Sequence, residues 1–137
     1  MVVIGVDPGR EKCGVAAVDA VRGVLARAVV ATEALETALG ELLAAYPAET
    51  VVLGDGTSAK RAAKRLGPLV AARGAQLVLA DEYRTTDAAR TRYWREHPPR
   101  GWRALLPTTM QTPPVPVDDY AAVILAERHL ERAAQEK

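Results

Sequence analysis

Residues 2–6 read Val-Val-Ile-Gly-Val, stop at Asp7-Pro8-Gly9, and give way to a second apolar run over 13–18. A short run rich in β-branched residues is the pattern of a strand buried on both faces. Pro8 presets φ and Gly9 tolerates positive φ, so the break reads as a turn. With so short a connection the two strands form an antiparallel hairpin. Asp7 is then a carboxylate fixed at the end of a buried strand, with apolar walls beside it. Taken alone, it can simply accept hydrogen bonds from the turn; the rest of the chain decides whether it does more.

Gly23 ends a further turn, and 24–31 reads as a third strand. Residues 32–46 follow as a helix, with Thr32 as its N-cap, Glu33 in its first turn and Leu35, Leu39, Leu42 and Leu43 at helical spacing. Pro47 stops it. A buried strand over 49–54 leads to a helix over 57–74, capped by Thr57 or Ser58, broken or kinked at Gly67-Pro68 and stopped by Gly74. Strand 75–80, helix 85–97, a loop over 98–116 holding six of the nine prolines, and a final amphipathic helix over 117–134 complete the order.

Three strands in a meander, followed by alternating helices and strands, predict an α/β fold. It is a five-stranded mixed sheet flanked by helices on both faces, which is the element order of the ribonuclease H-like fold. The fourth and fifth strands, reached through helical crossovers, run parallel to the first, so their C-terminal ends share one rim. At 137 residues the whole chain, 1–137, is expected to be one domain.

Acids gather at the element ends that this topology sends to the rim. The first strand ends in Asp7, the fourth in Gly54-Asp55, the fifth in Asp81-Glu82, and the final helix starts at Asp118-Asp119. Clustered carboxylates repel one another unless a cation is shared. Hard divalent ions such as Mg²⁺ and Mn²⁺ take oxygen ligands, and a pair of them serves phosphodiester hydrolysis. Each acid also has a local explanation: helix-start carboxylates meet the positive dipole end, and Asp55-Gly56 is a common turn pair.

The net charge of +1 conceals a block structure. Residues 1–56 carry 4 basic and 8 acidic side chains, residues 57–103 carry 11 and 4, and residues 104–137 carry 3 and 5. A basic middle third suits a polyanion. Lys60 and Arg61 fall in the first turn of the second helix, against its dipole, and Lys64 repeats the charge one turn later. Phosphates near that turn would account for them. In the proline-rich loop Arg100, Trp102 and Arg103 offer a stacking ring between cations, while Trp102 equally suits an anchor for the loop against the core. The single cysteine, Cys13, rules out an intramolecular disulfide. No leader and no run of membrane-spanning length is seen, so the expected location is the cytoplasm, without a membrane partner.

"VIGVDPGREKCGVA" resembles the first motif of the YqgF family and of RuvC-type Holliday-junction resolvases through Asp7, Gly9, Gly14, Val15 and Ala16. "DEYRTTDAAR" is similar to the family's Asp-Glu-Arg-x-Thr-Thr segment, and "VDDYAAVILAERHL" to its closing helix. The resemblance implies a nuclease dependent on Mg²⁺ or Mn²⁺, with Asp7, Glu82 and Asp118 as catalytic metal ligands and Asp55 and Asp119 assisting. The implied substrate is structured nucleic acid: first RNA, in the maturation of small-subunit ribosomal RNA precursor, or otherwise branched DNA. Arg10, Lys12 and Arg84 join the basic residues above as expected contacts to it. There are departures: Tyr83 and Arg84 displace the family's arginine, and Lys12 stands where arginine is usual. "LGDGTSAK" resembles the corresponding stretch of a domain in the Tex transcription factor, which implies the alternative of a catalytically silent nucleic-acid-binding module. The sequence does not decide between a monomer and a homodimer.

Overall fold

The computed structural model describes residues 1–56, 58–80, 85–99, 101, 105 and 117–135. The strands are β1 (Val2–Asp7), β2 (Lys12–Asp19), β3 (Gly23–Ala31), β4 (Thr50–Gly54) and β5 (Gln76–Ala80). The helices are α1 (Leu35–Ala45), α2 (Ala59–Ala72), α3 (Thr85–Glu96) and α4 (Asp118–Gln135). The sheet order is β3-β2-β1-β4-β5. β1 pairs antiparallel with β2 and parallel with β4, and β4 pairs parallel with β5. The expected five-stranded mixed sheet is therefore the observed one.

Period-two alternation sorts the strands between two cores. Ile4 and Val6 of β1, Cys13, Val15 and Ala17 of β2, and Val51 and Leu53 of β4 pack on one face against Leu35, Leu39 and Leu43 of α1 and Leu66 and Val70 of α2. Val3, Ala16, Val18, Val52 and Ala80 face the other way, against Ala122, Val123, Leu125 and Ala126 of α4. α3 packs on α4 through Ala89, Tyr93, Tyr120, Ala121 and Ile124, and Arg92 Nη1 reaches Glu127 Oε1 at 2.5 Å.

Three local expectations are corrected. Thr32 does not cap a helix: residues 32–34 form a 3-10 turn before α1, and the Thr32 hydroxyl donates instead to the Gly9 carbonyl at 3.0 Å. α2 runs unbroken through Pro68, although Pro in a helix interior costs ~3 kcal/mol. Pro68 is exposed, and the buried stripe of Ala62, Leu66 and Val70 continues past it. Burying Leu66 and Val70 is worth roughly 1.5–3 kcal/mol each, enough to hold the helix together. Gly9 is required for space rather than for φ: its φ is not positive, but a Cβ there would stand 2.2 Å from the Lys12 carbonyl oxygen.

Candidate active site

Two glycines set the position of α4. A Cβ on Gly5 would lie 2.0 Å from the Ala122 carbonyl oxygen, and one on Gly14 would lie 1.8 Å from that of Asp118. A side chain at either position would drive the helix off the sheet. Their absence lets the first turns of α4 rest directly on β1 and β2.

Asp7 and Gly14 are register partners across the hairpin. Partners in an antiparallel pair point to the same face, and Asp7 shares its parity with Val3 and Gly5, which meet α4. The end of β1 and the start of α4 thus converge: Asp7 neighbours Gly14, and Asp118 sits on Gly14. Asp7 is half-buried. Burial pushes the Asp118 carboxyl above the usual carboxylate range; the Lys12 charge pulls against that shift, and Asp119 adds to it.

The turn after Asp7 is held by a small buried network. Besides the Thr32 hydroxyl, Cys13 Sγ lies 3.5 Å from the Gly9 amide and 3.4 Å from Thr32 Oγ1. Cys13 is fully buried. Its sulfur serves the turn.

The other expected site residues part company. Asp119 is 7% exposed, and its Oδ2 accepts from Arg27 Nη1 of β3 at 2.6 Å, with the guanidinium 4.3 Å from the Tyr120 ring centroid. Asp55 is exposed just beyond β4, its amide donating to the Ala80 carbonyl at 2.7 Å. Lys60, Arg61 and Lys64 are exposed on α2, whose apolar stripe packs on the sheet face opposite α4. Arg10 and Lys12 are exposed at the hairpin turn. Glu82, Arg84, Arg100, Trp102 and Arg103 lie outside the described residues. Among the described residues no three His, Cys, Asp or Glu side chains come together as a metal site.

Sequence reasoning missed Gly5, the packing role of Gly14, and Arg27. A glycine inside an apolar strand run signals close backbone approach, so the first two were findable. Arg27 and Asp119 are 92 positions apart, and no local pattern joins them.

The fold has solved counterparts. The structure of Thermus thermophilus RuvC superimposes with a TM-score of 0.67 at 18% identity, covering 98% of this chain and 96% of that one. The chain has the RuvC fold. A Fowlpox virus resolvase, solved in complex with Holliday junction DNA, superimposes with a TM-score of 0.61 at 12% identity, covering 97% of this chain and 99% of that one. No family model and no curated protein sequence matches the chain, so the likeness to YqgF rests on the residues quoted above. Among the described residues no helix is long and apolar enough to cross a membrane.

Do these residues suit a divalent metal? The backbones of two aspartates converge on Gly14, and the carboxyl of one, Asp118, is held where its charge is poorly solvated. A half-buried carboxylate in that state is stabilised by a cation, and oxygen ligands are what Mg²⁺ and Mn²⁺ take. The donor set fits.

Proposed function

We propose that this protein is a divalent-metal-dependent nuclease that hydrolyses phosphodiester bonds in branched DNA. The observation that carries the reading is the meeting of Asp7 and Asp118 over Gly14. The likeness to two resolvase structures supports junction DNA as substrate ahead of RNA, which rests on the YqgF resemblance alone.

Asp7, Asp118 and, following the resemblance, Glu82 would hold Mg²⁺ or Mn²⁺. A bound ion supplies positive charge where negative charge builds up on the scissile phosphate. The chain's own part is to keep those oxygens in place. The sheet fixes Asp7, Gly14 fixes the height of Asp118, and the Thr32–Cys13 network fixes the turn between them. Lys12 favours the ionised form of Asp118, the form that binds a cation. Asp119 stays out of this set, because Arg27 already neutralises it. Asp55, exposed at the same rim, stands as an assisting acid.

The test is incubation with labelled four-way DNA junctions, plain duplexes and single-stranded RNA, with Mg²⁺, with Mn²⁺ and with chelator. Junction cleavage that needs metal is expected. Binding without cleavage of any substrate in either metal would leave a silent nucleic-acid-binding module.

A further inference from the structure

A narrow cleft opens beside the turn that follows Asp7. Its walls are Pro8, Gly9 and Arg10 of that turn, Thr32 at the start of the 3-10 turn, and Ser58 and Arg61 at α2. Its floor is buried: Cys13 and Leu35 are fully covered, and Ala62 is nearly so. Among the described residues three arginines line it and no acid does. Arg65 is spoken for, since its Nε donates to Glu36 Oε1 at 2.6 Å and its Nη2 to the Thr32 carbonyl at 3.0 Å. Arg10 and Arg61 have no carboxylate partner among the described residues, and both line the cleft, Arg10 from the hairpin turn and Arg61 from α2. Ser58 makes no helix-capping hydrogen bond, so its hydroxyl is not committed to α2.

We propose that this cleft holds one backbone phosphate of the nucleic acid, gripped between Arg10 and Arg61. Two arginines lining one cleft with an apolar floor match a phosphodiester, which offers two charged oxygens. Arg10 follows Asp7 by three residues, so the cleft lies within ~11 Å of it along the chain. The cleft floor belongs to the α2 side of the sheet and Asp118 to the α4 side, so a phosphate held there anchors the bound strand where it passes the turn after Asp7. The inference rests on the proposed nuclease reading for its substrate, but its test does not require cleavage.

The experiment is a double-mutant cycle on binding of a fluorescein-labelled four-way DNA junction in chelator. It uses Arg10→Ala, Arg61→Ala and the pair, with melting curves to show that each variant folds. Two arginines on one phosphate are coupled. Each single change is expected to weaken binding about 10-fold, and the pair about 20- to 30-fold rather than 100-fold. Lys64→Ala, one turn along α2 and outside the cleft, should combine with Arg61→Ala multiplicatively. Independent effects of Arg10 and Arg61, or none, would overturn the clamp. Cleavage by the wild type is read separately with Mn²⁺. Coupling without cleavage keeps the phosphate site and removes the nuclease; cleavage without coupling does the reverse.

Discussion

Gly14 lies directly beneath Asp118: a Cβ on the glycine would stand 1.8 Å from the aspartate's carbonyl oxygen and 2.7 Å from the next amide nitrogen. The contact is backbone on both sides, so neither partner can swing aside. Gly14→Ala should therefore lift the start of α4 from β2, costing about 1–3 kcal/mol or more and abolishing cleavage. Gly40, inside α1 with nothing within 4 Å of its absent Cβ, is the control. Gly40→Ala should stabilise by about 0.5–1 kcal/mol and leave cleavage intact. Urea unfolding and a junction-cleavage assay on both variants check the pair.

The ion pair between Arg27 and Asp119 divides structural acid from proposed metal ligand. Arg27→Ala leaves a 7% exposed carboxylate without its partner and should cost about 1–3 kcal/mol. Asp119→Asn should destabilise as well, by less, while Mn²⁺ affinity stays at the wild-type value. Isothermal titration with Mn²⁺ and urea unfolding of both variants decide this. Loss of Mn²⁺ binding in Asp119→Asn would return that residue to the metal set.

Asp19 gives a stability signal in acid. Backbone amides of Arg22 and Val21, each 2.9 Å from Oδ2, pull its carboxyl down from 3.8 to about 2. The folded state therefore prefers the ionised form more than the unfolded state does. That contribution is fully present above the unfolded value of 3.8 and is lost as pH falls through about 2. Wild type should be more stable than Asp19→Asn at pH 6, and the gap should close as pH is lowered from 4 to 2. A gap unchanged over that range would mean that the wild-type advantage does not depend on the ionised carboxylate.

Much of this was legible in the sequence because strand and helix periods are local properties. The β-branched runs and the leucine spacing of 35–43 each speak for their own element, and the element order then determines which ends share a rim. The errors fall where a side chain finds a distant partner. Thr32 has every local mark of an N-cap, yet its hydroxyl serves Gly9, 23 residues away. Pro68 should end a helix, but the apolar stripe beneath α2 outweighs it. The convergence of Asp7 with Asp118 was legible as two strand and helix ends. Its cause, a glycine register partner, needed the pairing itself.

The central claim is that Asp7 and Asp118 hold a divalent cation, and thermal unfolding with Mn²⁺ tests it most directly. At 100 times its Kd, Mn²⁺ should stabilise wild type by roughly 2.7 kcal/mol, a rise in Tm of about 10 °C. In chelator, Asp118→Asn should be at least as stable as wild type, since a neutral amide is spared the burial penalty that raises the carboxyl's pKa. Neither Asp7→Asn nor Asp118→Asn should gain from Mn²⁺. A Tm rise in both variants equal to that of wild type would contradict the account.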